Sequence, residues 1–316
     1  MQEQQANTRL QHHGQGGELF VIFIVNVLLK IVTLGIYHFW AKTKVRRYLW
    51  THTSFDGERF EYTGKGSELF IGYLIVMGSF IGLGLLALAV IAGLEAVNPG
   101  LAILAALVIY TGVLSLIPMG MYMARRYMLS RTRFRSIRFS LAGSPFRYML
   151  MFVGYGLLSL ITLGLLSPIA RNALYSFETN NMGFGSESFA YDGRGTALLG
   201  KWLIAWVLML PTLGLISFWF MTVESRYRAE HTRLGAMSFS MDMTTLQLIG
   251  LVLVNMLLII FTLGLATPWV IIRNVRFMTT HLQPAGELNY RAIAQSIAAT
   301  PRAGEGLVEA FDVAGI

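Results

Sequence analysis

Cysteine is absent from this 316-residue chain. That excludes disulfides, thiolate metal sites and thiol chemistry. Charge is scarce: 13% of residues are charged against 54% hydrophobic, far more apolar side chain than a soluble core of this length needs. The long apolar segments hold almost no acids, which argues against a carboxylate proton relay. There is no His-Glu-x-x-His or Gly-x-Ser-x-Gly, and Gly64-Lys65-Gly66-Ser67 lacks the spacing of a phosphate-binding loop. No hydrophilic stretch is large enough to house soluble catalysis, so neither an enzyme nor a cofactor is expected. Residues 1–17 are polar, without the basic start and small-residue cleavage site of a secretory signal, so the first apolar segment is expected to be retained. A formal charge of +8 in so apolar a chain reads as basic residues beside membrane segments; no nucleic acid partner is expected.

What is present recurs. Moving 229 residues along maps Asn26, Thr33, Leu34, Gly35, Trp40, Arg47, Thr51 and His52 onto Asn255, Thr262, Leu263, Gly264, Trp269, Arg276, Thr280 and His281. A shift of 179 finds Thr212-Leu213-Gly214, Trp219, Arg226, Tyr227 and His231. A shift of 129 finds Thr162-Leu163-Gly164 and a tail of Phe189, Tyr191 and Gly193. A shift of 79 finds Arg125-Arg126-Tyr127, Phe139 and Gly143. The four offsets differ by 50, which sets the unit; the second copy carries 29 more residues, enough for one additional membrane helix. The expected fold is an all-α multipass membrane protein of tandem 50-residue repeats, each a bent apolar helix, a basic interfacial helix and a short β-like tail. The expected layout is a polar N-terminal tail (1–17) and a membrane domain (18–281). Its five repeats run over about 18–66, 67–145 with the extra helix, 146–195, 196–243 and 244–290, before a disordered tail (282–316).

Six stretches are long enough to cross a ~30 Å hydrocarbon layer as helices: 19–40, 69–94, 101–123, 148–170, 202–221 and 246–272. Asn98-Pro99-Gly100 makes the second and third a hairpin. At each Thr-Leu-Gly break the glycine suits a helix C′ position, and Thr267-Pro268 suits the start of the next helix, so a bend is expected. With six crossings, one side holds 15 Lys/Arg and the other 7, which places both termini outside the cytoplasm. Against this, the tails 59–64, 138–143, 188–193 and 237–241 read as short strands that need partners. If each unit turned back at its glycine, all tails would meet on one face; both topologies stay open.

The polar residues supply the candidates. Lys30 lies inside the first apolar segment, one turn from Asn26, and Asn255 is the counterpart of Asn26; together they could line a solute path. Trp40, Arg46, Arg47, Trp219, Arg226, Trp269 and Arg276 suit anionic headgroups at the membrane surface. His52, His231 and His281 share one repeat position and would form a metal site only if they met; simple helix-end cations are the plainer expectation. Gly78 and Gly82 form a small-xxx-small face suited to close helix contact, within the chain or in a homo-oligomer.

Gly16-Gly17-Glu18-Leu19-Phe20, Asn26, Thr33-Leu34-Gly35-Ile36-Tyr37, Phe39-Trp40-Ala41-Lys42, Arg46-Arg47-Tyr48 and Phe60-Glu61-Tyr62-Thr63-Gly64 together resemble the YjgN-like family of bacterial inner-membrane proteins. The family's proline before the tryptophan is Phe39 here, though Pro268 precedes Trp269. The resemblance implies a multi-pass protein of the bacterial inner (cytoplasmic) membrane and carries over no site. Two functions are then weighed: a small-solute transporter or permeation protein, and a non-transporting scaffold that binds anionic lipid or an envelope partner.

Overall fold

The computed structural model describes residues 9–288, 290 and 293. Strand β1 (Leu10–His12) leads into the helix pair α1 (Gly16–Val32) and α2 (His38–Thr51), then the strand pair β2 (Thr53–Phe55) and β3 (Glu58–Tyr62). The same order follows with α3 (Gly66–Glu95), α4 (Pro99–Arg131), β4 (Thr132–Phe134) and β5 (Ile137–Leu141). It continues with α5 (Pro145–Ile161), α6 (Ser167–Asn180), β6 (Met182–Phe184) and β7 (Glu187–Tyr191). Then come a short 3₁₀ turn, Gly195–Leu198, with α7 (Leu199–Leu208), α8 (Ile216–Glu230), β8 (Thr232–Leu234) and β9 (Met237–Met241). Helices α9 (Thr245–Phe261) and α10 (Thr267–His281) and strand β10 (Leu282–Ala285) end the described structure.

The fold is therefore mixed α/β, not all-α. The tails pair with one another in a ten-stranded antiparallel sheet of order β1 to β10. Strands β1 and β10 lie against each other, so the sheet is nearly a closed barrel. The physical reason is edge satisfaction: strands of three to five residues are unstable alone, and neighbours on both sides saturate their backbones. Within each unit a two-residue turn joins the strands. Asp56-Gly57 and Arg135-Ser136 have positive φ at both positions, and the turns after β6 and β8 open on Gly185 and Gly235. Alternate residues point inward, so Phe55, Phe60, Phe134, Phe139, Phe184 and Phe189 share one apolar interior.

The helices correct the expected crossings as well. Only α3 and α4, of 30 and 33 residues, are long and apolar enough to cross a membrane. The stretches 19–40, 148–170, 202–221 and 246–272 are each two antiparallel arms. At each break Leu and Gly are both left-handed: Leu34 and Gly35 have φ of 50° and 92°, and Leu163, Leu213 and Leu263 each have φ of 50°. Two successive left-handed residues reverse the chain where one would bend it. Leucine, not glycine, holds the C′ position, with Leu34 N–H donating to Ile31 and Gly35 N–H to Lys30. The 29 extra residues of the second unit form no additional helix; they lengthen both arms of one hairpin. Two segments assigned to tails are structured: Leu10–His12 and Leu282–Ala285 are strands. The rest of the expected disordered tail, 289, 291–292 and 294–316, lies outside the described residues.

The five hairpins stand in a ring. Contacts run α2 to α3, α4 to α5, α6 to α7, α8 to α9, and then from α10 back to α1. The closing contact repeats an internal one. Trp40 packs over Gly66, where an added Cβ would meet its Cα at 2.8 Å, and its ring lies 5.8 Å from Phe70. Trp269 packs in the same way over Gly16, 5.0 Å from Phe20. The two Gly-x-Glu-Leu-Phe segments are thus the seats of a preceding tryptophan. A side chain on either glycine would lift the helix off its neighbour.

Candidate functional site

The feature common to all units is the junction where one β-hairpin hands over to the next helix. Arg47, Arg126, Arg226 and Arg276 sit at one position of their units and each reaches the backbone carbonyl of this junction. Arg226 gives two bonds to the Met243 carbonyl, 2.9 and 2.6 Å; Arg47 gives one to Gly64, 3.4 Å; Arg126 bonds Ala142 and Gly143. In the third unit Asn172 does the same to Gly193, 2.9 Å. Arg276 reaches Gly14, 262 residues away, 3.0 Å. So β1 stands where the fifth unit's second strand would stand. A charged donor suits a carbonyl that the strand ladder leaves unpaired.

Ion pairs stitch the helices at this level. Buried Glu224 holds Arg171 at 3.2 Å and Arg228 at 2.8 Å, and Arg228 also lies 4.6 Å over the Tyr175 ring. Arg125 pairs with Glu178, and Arg131 with Glu68 at 3.0 Å. Arg46 has no exposed surface and faces Tyr62, whose hydroxyl pKa is raised above the ordinary value by burial, with Arg46 pulling the other way. Of the remaining surface candidates, Arg47 and Arg276 are exposed and keep N–H donors beyond the ones they give to carbonyls. Trp219 packs with Phe220 and Trp202 at the α7–α8 pair.

The three suggested path residues are not brought together at an open passage. Asn26 is buried and donates to Ala41 within its own hairpin, 3.4 Å; Asn255 donates to Asn274 within its own, 2.7 Å. Each pins two arms together. Lys30 lies half-buried on the last turn of α1, where a cation suits the negative helix end. The ring axis is apolar instead. A cavity of about 180 Å³ fills the barrel among the phenylalanines, and a second of about 360 Å³ lies beside Leu49, Trp50, Met128 and Val275. Leu10, Phe60 and Phe139 face both cavities. Leu288, Tyr290 and Ile293 pack against the same apolar cluster, with Arg135 4.2 Å over the Tyr290 ring.

The histidines recur in structure but do not meet. His52, His231 and His281 each place Nδ1 against the carbonyl four residues back, 2.8–2.9 Å, and each packs on the ring of that residue: Tyr48, Tyr227 or Phe277. Among the described residues no group of three His, Asp or Glu is placed to hold a metal. Around Gly78 and Gly82 an added Cβ would meet nothing within 4 Å, so neither glycine makes the α3–α4 contact. His12 is the residue that sequence reasoning missed. It is buried at the seam, 2.9 Å from Thr53 Oγ1, and its pKa falls to about 4 through burial first and then the charge of Arg276.

Comparison with known proteins gives partial relatives. A stretch of 75 residues, 24% of this chain, is 44% identical to the inner membrane protein YjgN of Salmonella typhimurium and covers 19% of that protein. A stretch of 62 residues, 20% of this chain, is 47% identical to the inner membrane protein YjgN of Escherichia coli strain K12 and covers 16% of it. These matches span less than a fifth of the relatives' own length. No solved structure matches. A family model matches residues 7–223 and 206–310, nearly the whole of the helix ring and barrel, and the chain belongs to that family, the bacterial proteins of unknown function DUF898.

Proposed function

We propose that this chain is a non-transporting scaffold of the bacterial inner membrane, in which tandem copies of one module hold a closed barrel against the membrane surface. One observation carries this reading: the ring axis is filled by phenylalanine and other apolar side chains, and the asparagines that could have lined a path are spent inside their hairpins. A polar solute on that axis would shed its water and find no hydrogen-bond partner, which costs several kcal/mol per polar group. The names of the YjgN relatives and the two long apolar helices support the membrane placement. Exposed Lys44 and Arg273, each six residues into the second arm of its hairpin, stand where anionic headgroups would meet them.

The test is reconstitution in sealed vesicles. The scaffold reading expects no saturable uptake or counterflow of any solute offered, and the same result from Lys30→Met. It expects co-purified anionic lipid that is lost when Lys44 and Arg273 are both changed to Gln. Saturable flux that Lys30→Met abolishes would overturn it.

A further inference from the structure

The exposed tips of the hairpins differ in chemistry in a way that the scaffold reading does not use. The turn between α3 and α4 is polar: Glu95 is exposed and Asn98 accepts from the N–H groups of Gly100 and Leu101. The other four tips present Leu34, Leu163, Leu213 and Leu263, exposed by 94%, 75%, 92% and 94%. Each of these leucines has a φ of 50°, a conformation that glycine or asparagine adopts at less cost. A strained leucine at a fully exposed tip is unfavourable in water twice over. In hydrocarbon the side chain offsets its own strain.

The backbone of these turns fits the same solvent. Lipid offers no hydrogen-bond partner, so irregular backbone in contact with it must satisfy itself. In all four turns, every N–H from the threonine through the fifth residue after it finds an acceptor within the turn or the preceding helix. The threonine makes this possible. Its hydroxyl donates to the carbonyl four residues back and accepts the N–H four residues on, as in Thr262 between Leu258 and Ala266. The lengths agree. From His38, the first residue of α2, to exposed Lys44 the helix rises about 9 Å, and the turn brings the apolar depth to about 15 Å, half of a ~30 Å hydrocarbon core. Thr267 to exposed Arg273 has the same spacing. The uncharged stretch of α4 from Leu101 to Ala124 rises about 36 Å, a full crossing.

From these observations we infer that four of the five hairpins are re-entrant, with their Thr-Leu-Gly turns inserted into the hydrocarbon of one leaflet, while α3 and α4 alone cross to the far side. The inference rests on the membrane placement but not on the absence of transport. Single cysteines test it in this cysteine-free chain, using a membrane-impermeant maleimide on sealed proteoliposomes of one known orientation. Ser188→Cys, exposed on the barrel, is expected to react from one side and Val97→Cys from the other; failure of this pair would sink the membrane placement itself. Leu34→Cys, Leu213→Cys and Leu263→Cys are expected to stay unmodified from both sides and to react once detergent is added. A bimane fluorophore on those cysteines should be quenched more by lipids brominated near the chain ends than near the headgroups. Modification of the tips from the Val97 side would show full crossings, and modification from the Ser188 side would show tips in water; either result overturns the inference. Three tips are used so that one variant that fails to fold leaves two readings.

Discussion

The seam between β1 and β2 invites the most specific perturbation, Arg276→Met. Methionine keeps much of the apolar stem, and the change removes the 3.0 Å bond to the Gly14 carbonyl. A hydrogen bond from a charged donor contributes roughly 1.5–3 kcal/mol, which is about ten- to a hundredfold in the equilibrium for local opening. Strand β1 is held by little else that reaches so far along the chain: three paired residues, Leu10 to Phe55, Gln11 to Ser54 and His12 to Thr53. Arg276→Met should therefore raise hydrogen exchange at residues 10–14 by that factor. Exchange in β9 should not change, since Arg226 still holds Met243. Arg226→Met should do the converse. Exchange that rises equally at both junctions in either variant, or at neither, would refute the view that each arginine locks its own junction.

Other consequences follow from the same contacts. Glu224→Ala leaves Arg171 and Arg228 without the buried carboxylate they share; it should cost about 3–5 kcal/mol by thermal unfolding in detergent, while Asp56→Asn at the more exposed Arg135 pair costs under about 1 kcal/mol. Gly66→Ala sets a methyl 2.8 Å from the Trp40 backbone, and about 1–3 kcal/mol of overpacking should appear as a lowered melting temperature; Gly17→Ala, which meets nothing, is the control. His12 titrates near 6.5 when unfolded and near 4 when folded, so the unfolded chain binds the extra proton between those values. The stability it supports is complete above pH 6.5 and is lost as pH falls toward 4, on the order of 2–3 kcal/mol, and His12→Gln should flatten that part of the profile.

Much of this architecture was legible as spacing. The 50-residue step recurs in the coordinates: β5, β7 and β9 begin at residues 137, 187 and 237. The alternating aromatics of the tails predict strands, and they are strands. What the spacing did not carry was direction. A single left-handed glycine after Thr33 implies a bend, and only a left-handed Leu34 before it turns the chain back. Leucine there runs against its own preference, so propensity alone points the wrong way. The first strand of each hairpin was missed for a different reason. Three residues such as Thr53-Ser54-Phe55 are too short to show a period, although Asp56-Gly57 is a hairpin turn signal that was present.

The most instructive case is β1. Ten strands drawn in pairs from five successive units would leave the fifth unit to supply its own second strand, about 50 residues after Met237–Met241 and hence near residues 287–291. Instead Leu10 and His12 fill that place, 229 residues before Phe239 and Met241, and Leu288 and Tyr290 pack against the barrel's apolar cluster. The shift that revealed the repeat reaches these residues if it is carried upstream of Gly16. A polar look to residues 1–17 had put that stretch out of account. Pro284 brings no N–H to β10, consistent with a strand that meets β1 side by side without a ladder. A chain that runs once around a ring must meet itself somewhere. Here that join uses the tryptophan on glycine and the arginine on carbonyl that hold the internal junctions, so one chemistry both links successive units and closes the ring.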